Sequence, residues 1–127
     1  MANQHEKIIV VCRHSGVLLN YGIMLNTLGY FNLSLCSNME EAIRVMECKG
    51  EIDFFLLDDF KLGSNDAMDV KNVSCYGRVK RFLLVGDFRF DDHCLVFKWA
   101  KSNCVSLLGM IRHPIFPAEL ESYLGAV

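Results

Sequence analysis

The side chains with the clearest chemical potential in this sequence all follow short apolar segments. They are Cys12, Arg13 and His14 after one segment, Asp58 and Asp59 after another, and His113 after a third. A carboxylate can accept a phosphoryl group, a thiolate is a nucleophile, and a histidine exchanges protons near neutral pH. Any joint chemistry depends on whether folding brings the ends of these segments together.

Several well-defined catalytic motifs are absent from these positions. The sequence has no Gly-x-x-x-x-Gly-Lys-Ser/Thr or Gly-x-Gly-x-x-Gly loop for nucleotides, and no Gly-x-Ser-x-Gly elbow for a serine nucleophile. A cysteine phosphatase loop beginning at Cys12 needs an arginine six residues later to hold the phosphate oxygens, and that position is Leu18. These observations argue against a nucleotide-binding protein, a serine hydrolase and a cysteine phosphatase.

Short apolar segments alternate with longer amphipathic ones along the chain. Runs of β-branched and other apolar residues predict buried strands at Lys7–Cys12, Leu33–Cys36, Ile52–Leu57, Phe82–Val85 and Val105–Ile111. Apolar residues at helical spacing predict a helix after each strand, with the second helix starting at a capping box in Ser37–Glu40. This order predicts an α/β fold, a doubly wound five-stranded parallel sheet with helices on both faces.

The predicted topology gathers the chemically interesting residues at one edge of the sheet. In a doubly wound sheet the functional crevice lies at the carboxyl ends of the strands. The residues that follow the strands at this edge are Cys12, Arg13, His14, Asp58, Asp59, Val85, Gly86 and His113.

Composition limits the class of protein further. The 127 residues carry 15 acidic and 13 basic side chains, with a formal net charge of −2, and we expect them to form one domain that does not bind nucleic acid. No apolar run approaches the roughly 20 residues of a membrane-spanning helix. We therefore expect no association with a membrane. The six cysteines form no Cys-x-x-Cys pair, so we expect reduced, packed thiols and a cytoplasmic location.

Two segments resemble parts of the receiver domain of response regulators, the CheY-like proteins of bacterial two-component signal transduction. Ile52–Gly63 is similar to the strand and loop that carry the phosphoacceptor aspartate, and Asp58 stands at that position. His113-Pro114 resembles the family's Lys-Pro pair. The segment Cys104–Pro117 also resembles receivers that precede cyclic-di-GMP phosphodiesterase domains. The resemblance implies a non-enzymatic signalling domain.

The residues around Asp58 depart from the family's pattern. Receivers hold Mg²⁺ with two acidic residues after the first strand, where this chain has Cys12 and Arg13 followed by His14. A hydroxyl residue that binds a phosphoryl oxygen is replaced by Val85, although the small residue after it is kept as Gly86. The lysine is replaced by His113, and Met110 stands where many receivers have a rotating aromatic ring.

These departures predict a pseudo-receiver, a receiver fold held in one state, with no cofactor and no standard Mg²⁺ site. In one hypothesis Arg13 forms an ion pair with Asp58 in place of the metal charge; in the alternative Arg13 points to solvent and His14 caps the following helix. The alternative that the chain is a receiver phosphorylated at Asp58 stays open. So does a small α/β enzyme in which Cys12, beside Arg13, has a lowered pKa and works with His14 and Asp58.

The resemblance also implies how such a domain would act. We expect residues 1–127 to be one receiver-like domain, a fragment of a longer regulator if an output domain follows. The expected partners are proteins: an output domain, a histidine kinase, or a second copy bound through the face of the fourth helix, fifth strand and fifth helix. That face is predicted at Asp91–Ser102, Val105–Arg112 and Pro117–Val127.

Overall fold

The computed structural model describes residues 5–125, which form five strands and five helices in strict alternation. The strands are β1 (Lys7–Val11), β2 (Asn32–Cys36), β3 (Ile52–Leu57), β4 (Val79–Gly86) and β5 (Leu107–Arg112). The helices are α1 (Ser15–Thr27), α2 (Met39–Lys49), α3 (Asn65–Cys75), α4 (Asp92–Ser102) and α5 (Pro117–Leu124). The predicted α/β architecture is therefore confirmed.

All five strands lie parallel in one sheet of order β2-β1-β3-β4-β5. The order places β3 at the centre and β2 and β5 at the edges. Parallel neighbours require crossover connections, which α1 to α4 supply, and α5 follows the last strand. The carboxyl ends of β1, β3, β4 and β5 consequently meet along one edge of the sheet, as predicted.

Apolar side chains cover the sheet on both faces because alternate residues of each strand point in opposite directions. In β1, Ile9 and Val11 belong to the core beneath α2, α3 and α4, whereas Ile8 and Val10 belong to the core beneath α1 and α5. Phe55 of β3 is fully buried in the first core and packs its ring against Phe82. Two packed layers of helices therefore fix the sheet.

Several element boundaries differ from the prediction. The second helix is capped by Asn38, whose side chain accepts the Glu41 amide at 2.9 Å, so the predicted capping box at Ser37–Glu40 is wrong by one residue. Strand β4 begins at Val79, earlier than predicted, and β5 begins later, at Leu107. Both changes lie at the amino ends of strands and leave the crevice unaffected. Ala126 and Val127 of the predicted partner face lie outside the described residues.

Between residues 5 and 125, no helix has the length and apolar character needed to cross a membrane.

Candidate functional site

Asp58 lies directly after β3, at the centre of the carboxyl edge. Its backbone N–H donates a hydrogen bond to the Val11 carbonyl at 2.9 Å, which continues the pairing of β1 with β3 and fixes where the side chain starts. The side chain is only 3% exposed. A carboxyl buried to this extent requires polar partners, because an unpaired one costs several kcal/mol.

Three side chains of the protein surround the Asp58 carboxyl. The Tyr21 hydroxyl donates a hydrogen bond to Oδ1 at 2.5 Å. His113 Nε2 lies 3.2 Å from the same oxygen, and the Cys12 thiol lies 3.5 Å from Oδ2. These residues come from α1, from the segment after β5 and from the segment after β1. We call Asp58, Tyr21, Cys12 and His113 the Asp58 cage.

Tyr21 enters the cage from α1, which packs over the carboxyl half of the sheet. Its ring is buried with Leu25 in the core beneath α1, and its hydroxyl reaches past the end of β1. Burial raises the pKa of Tyr21, and the hydrogen bond to Asp58 raises it further. The phenol therefore stays protonated and serves as a hydrogen-bond donor.

Cys12 is a buried thiol and not an activated one. Burial raises its pKa to about 11, and the neighbouring Asp58 adds to the increase. Its Sγ also lies 3.5 Å from the His14 carbonyl oxygen. The hypothesis that Cys12 has a lowered pKa is therefore wrong, because the thiol is desolvated and the guanidinium of Arg13 points elsewhere.

Arg13 forms an ion pair with Asp66 and not with Asp58. Its Nη2 lies 3.1 Å from Asp66 Oδ1, and the Arg13 side chain is 69% exposed. Asp66 is itself buried in the first turn of α3, where its Oδ2 accepts the Lys61 amide at 3.1 Å. The predicted Arg13–Asp58 ion pair is thus wrong. Because Asp58 already has three neighbours, Arg13 instead ties the β1–α1 loop to the β3–α3 loop.

Val85 and Gly86 form the end of β4, the strand that pairs with β3 next to Asp58. Val85 is fully buried in the core beneath α1 and α5, and its methyl groups offer nothing to a phosphoryl oxygen. A Cβ on Gly86 would stand 2.8 Å from the backbone oxygen of Phe60. This close approach accompanies a hydrogen bond from the Phe60 amide to the Val85 carbonyl at 2.9 Å, so position 86 requires glycine.

His113 is held beside Asp58 by the end of β5. Its backbone N–H donates to the Gly86 carbonyl at 3.3 Å, and the peptide bond to Pro114 is cis. The ring is 32% exposed, so it reaches from solvent into the cage.

Two other predicted site residues lie outside the cage. Asp59 is half-buried and adopts a left-handed backbone conformation with φ of 59°, which aspartate tolerates better than most residues. His14 is exposed at the N-cap of α1, and its side chain makes no capping hydrogen bond, so the predicted capping role is wrong for the ring. Its backbone oxygen accepts the Leu18 amide at 2.8 Å.

The residues at this edge do not fit the Mg²⁺ that the receiver fold implies. Mg²⁺ prefers six oxygen ligands in octahedral geometry. The positions next to Asp58 hold a thiol at Cys12 and a guanidinium at Arg13, and both Asp58 oxygens already face donors of the chain. Across residues 5–125, no group of three or more His, Cys, Asp or Glu side chains is placed to hold a metal ion.

Tyr21 and Asp66 are functional neighbours that the sequence analysis missed. Tyr21 stands at helical spacing with Leu18 and Leu25, which predicts an apolar role for its ring, and the ring is buried beneath α1. The available signal was its hydroxyl, since buried tyrosines usually need a polar partner. Asp66 was unmarked, although it follows the helix-capping Ser64 and lies in the first turn of α3.

No protein-family model matches the sequence, and no curated protein does. Solved structures do match. Chemotaxis protein CheY4 of Vibrio cholerae is 18% identical with a TM-score of 0.76, over 96% of this chain and 98% of that chain. CheY in the CheX-CheY-BeF3-Mg²⁺ complex of Borrelia burgdorferi is 12% identical with a TM-score of 0.75, over 95% of this chain and 87% of that chain.

A third match is the N-terminal domain of a response regulator/sensory box/GGDEF protein of Carboxydothermus hydrogenoformans. It is 15% identical with a TM-score of 0.73, over 95% of this chain and 92% of that chain. The chain therefore has the fold of CheY-like receiver domains, which confirms the resemblance at the level of fold. The more specific resemblance, to receivers that precede cyclic-di-GMP phosphodiesterase domains, stays a prediction.

Proposed function

We propose that this chain is a pseudo-receiver that serves two-component signal transduction by binding other proteins. The observation that carries the proposal is the Asp58 cage. The carboxyl that would accept a phosphoryl group already faces Tyr21, Cys12 and His113 of the same chain. The receiver fold supports the signalling role, and the cage supports the loss of phosphorylation.

Phosphoryl transfer to an aspartate requires positive charge around the transferring group. In this site Tyr21 and Cys12 are neutral donors, and Arg13 is engaged with Asp66. His113 contributes an imidazole where the family has a lysine. A phosphoryl donor would have to displace the Tyr21 hydroxyl from Oδ1 and would then meet Cys12 and Arg13 where receivers have two metal-binding carboxylates. The barrier to transfer is therefore expected to stay high.

The parts that would report phosphorylation are also filled by apolar groups. Val85 takes the hydroxyl position and Met110 the ring position, and both are buried. Phe60 packs against Phe88 with ring centroids 6.4 Å apart and against Trp99 of α4 at 5.6 Å. This packing favours one fixed position of α4, which suits a docking module better than a switch.

We propose that partners bind the face formed by α4, β5 and α5. Its exposed residues include Leu95 and Phe97 of α4 and the charged Lys98, Lys101 and Glu121. Exposed apolar side chains among charges of both signs suit a specific interface of modest affinity. An output domain or a histidine kinase would fit it, and pairing of two copies through it stays a prediction, as does the cytoplasmic location. We propose no catalytic activity.

The test is phosphorylation of the purified chain by acetyl phosphate with Mg²⁺, followed by intact mass measurement. We expect no gain of the mass of one phosphoryl group, while a receiver that carries both acidic residues, treated in parallel, does gain it. A Mg²⁺-dependent adduct that disappears in Asp58→Asn would instead establish a phosphoacceptor receiver. An adduct that persists in Asp58→Asn would place modification elsewhere and leave the cage intact.

A further inference from the structure

Charge is distributed unevenly over the surface of this chain. Charged residues make up 22% of the sequence, yet residues 15–39 contain no Asp, Glu, Lys, Arg or His. This uncharged segment contains all of α1 and β2, and β2 is an edge strand of the sheet. Exposed helices normally carry charged residues on the side that faces water, so α1 is not built as an ordinary solvent-facing helix.

The same segment exposes large apolar side chains. Leu19 is 61% exposed and Ile23 is 57% exposed on α1, Leu35 is 40% exposed on β2, and Phe31 between them is 60% exposed. We call these four residues the α1–β2 face. Leu19 and Ile23 are four residues apart and therefore neighbours on one side of the helix.

Contact between α1 and β2 makes these side chains one surface. A Cβ on Gly22 would stand 2.9 Å from Leu35 Cδ1, so Leu35 lies directly against the helix at Gly22. Gly22 is itself buried at this contact, and because it follows Leu19 by three residues the two are neighbours on α1. Strand β2 pairs with β1 through one edge, and within the described chain no strand pairs with its other edge.

We propose that a second copy of this chain packs on the α1–β2 face, related by a two-fold axis. In a two-fold contact the same patch meets itself, so a charged patch opposes its own like charges unless they interleave. The uncharged segment avoids this repulsion entirely. The face of α4, β5 and α5 carries Lys98, Lys101 and Glu121, so two copies could pair there only if these charges interleave.

The area of the face fits a dimer of modest stability. The exposed parts of its four side chains amount to roughly 350 Å² of apolar surface, taking about 150–200 Å² for each whole side chain. Each side of a standard interface buries about 800 Å², of which a little over half is apolar, roughly 450 Å². The face thus supplies most of the apolar area required. We expect a dissociation constant in the micromolar range.

A boundary of the face is marked by Lys49 of α2. Its Nζ donates to the side chain of Asn32 at 3.1 Å, at the amino end of β2. Lys49 is therefore expected to lie at the rim of the two-fold contact, which centres on Leu19, Ile23 and Leu35 and includes Phe31. The proposal does not depend on the state of Asp58 and stands or falls separately from the proposed function.

Sedimentation velocity of the full chain over a concentration series, from about 1 to several hundred micromolar, tests the proposal. The wild-type chain should shift from monomer to dimer. Ile23→Lys should raise the dissociation constant at least tenfold, because it sets two ammonium groups into an apolar contact. Circular dichroism verifies that the variant is folded, which is expected because Ile23 is more than half exposed.

Two matched controls locate the contact. Met68→Lys on α3 and Leu95→Lys on α4 change residues that are 58% and 54% exposed, and both variants should dimerise like the wild-type chain. A wild-type chain that stays monomeric overturns the proposal. So does a dimer that Leu95→Lys breaks and Ile23→Lys does not. A monomer whose α1 resonances shift on adding a histidine kinase domain would assign the face to that partner, and also overturns it.

Discussion

The interior of the sheet and its carboxyl edge differ in how closely they follow the receiver pattern. In the interior, apolar residues alternate between two cores, and the strand order and crossovers give TM-scores above 0.7 at identities of 12–18%. At the edge, a thiol, a phenol and an imidazole surround one carboxyl. The chain therefore combines the fold of receiver domains with a different set of side chains at the carboxyl edge.

This contrast shows that the two regions depend on different interactions. The interior is held by burial of apolar surface, which is tolerant of residue identity as long as volume and pattern are kept. The edge depends on individual polar groups placed within 3.5 Å of one carboxyl, where a single substitution removes a contact. A receiver fold is therefore poor evidence for phosphorylation unless the edge residues are read one by one.

The largest effect is expected in the interior. Phe55→Ala removes a ring that is fully buried against Phe82 and should lower the free energy of unfolding by about 3–5 kcal/mol. Urea denaturation measures it. Phe90→Ala is the matched control, because Phe90 is 92% exposed and its loss should cost less than about 0.5 kcal/mol. Similar losses for the two variants would contradict the packing described for β3.

At the edge, the strongest effect should be on the reactivity of Cys12. With a pKa of about 11 instead of 9.0, its thiolate fraction near neutral pH is about 100-fold smaller, and burial slows it further. A thiol reagent at pH 7 should label the exposed Cys48 long before Cys12, as peptide mass mapping would reveal. Fast labelling confined to Cys12 would revive the enzyme alternative.

The same thiol should make stability depend on pH in the alkaline range. The folded chain holds the Cys12 proton more tightly than the unfolded chain, so this contribution is fully present below pH 9 and is lost as the pH rises through about 11. Buried Cys36, also with a pKa of about 11, contributes in the same direction. In Cys12→Ala the decline in the free energy of unfolding between these pH values should be smaller, which urea titrations at each pH would measure.

Tyr21→Phe should have a smaller effect than Phe55→Ala. It keeps the buried ring but removes the donor to Asp58, and we expect a loss of about 1–3 kcal/mol in the free energy of unfolding. Tyr76→Phe is the control, since Tyr76 is 56% exposed and its change should be close to zero. An equal, negligible effect of both would mean that the Tyr21 hydroxyl does not hold Asp58.

The smallest effect is expected for Arg13→Ala. Its partner Asp66 is buried, but Arg13 is mostly exposed, and such half-exposed pairs contribute about 0–1 kcal/mol. Asp66→Ala should cost more, because it also frees the Lys61 amide. Thermal unfolding of the two variants, compared with Lys71→Ala on the exposed surface of α3, measures the difference. A larger loss for Arg13→Ala than for Asp66→Ala would contradict this arrangement.

The fold and the residues at the carboxyl edge could be predicted from the sequence. Which side chains contact one another at that edge could not. Strand and helix order follow from apolar periodicity, which is a local signal, and Asp58 follows from the end of a buried strand. Whether Arg13 meets Asp58 or Asp66 depends on side-chain directions across two loops. The contact of Tyr21 with Asp58 could not be predicted, because a tyrosine has the same helical spacing whether or not its hydroxyl has a role.

We propose that the Asp58 carboxyl stays bound to Tyr21, Cys12 and His113 and does not accept a phosphoryl group. The most direct measurement is an amide NMR titration of the full chain with Mg²⁺ and beryllofluoride, which mimics a phosphoryl group on aspartate. We predict no saturable shifts around Asp58, Val85 and His113. Saturable shifts centred on Asp58 that are lost in Asp58→Asn would contradict the account and establish a working phosphoacceptor.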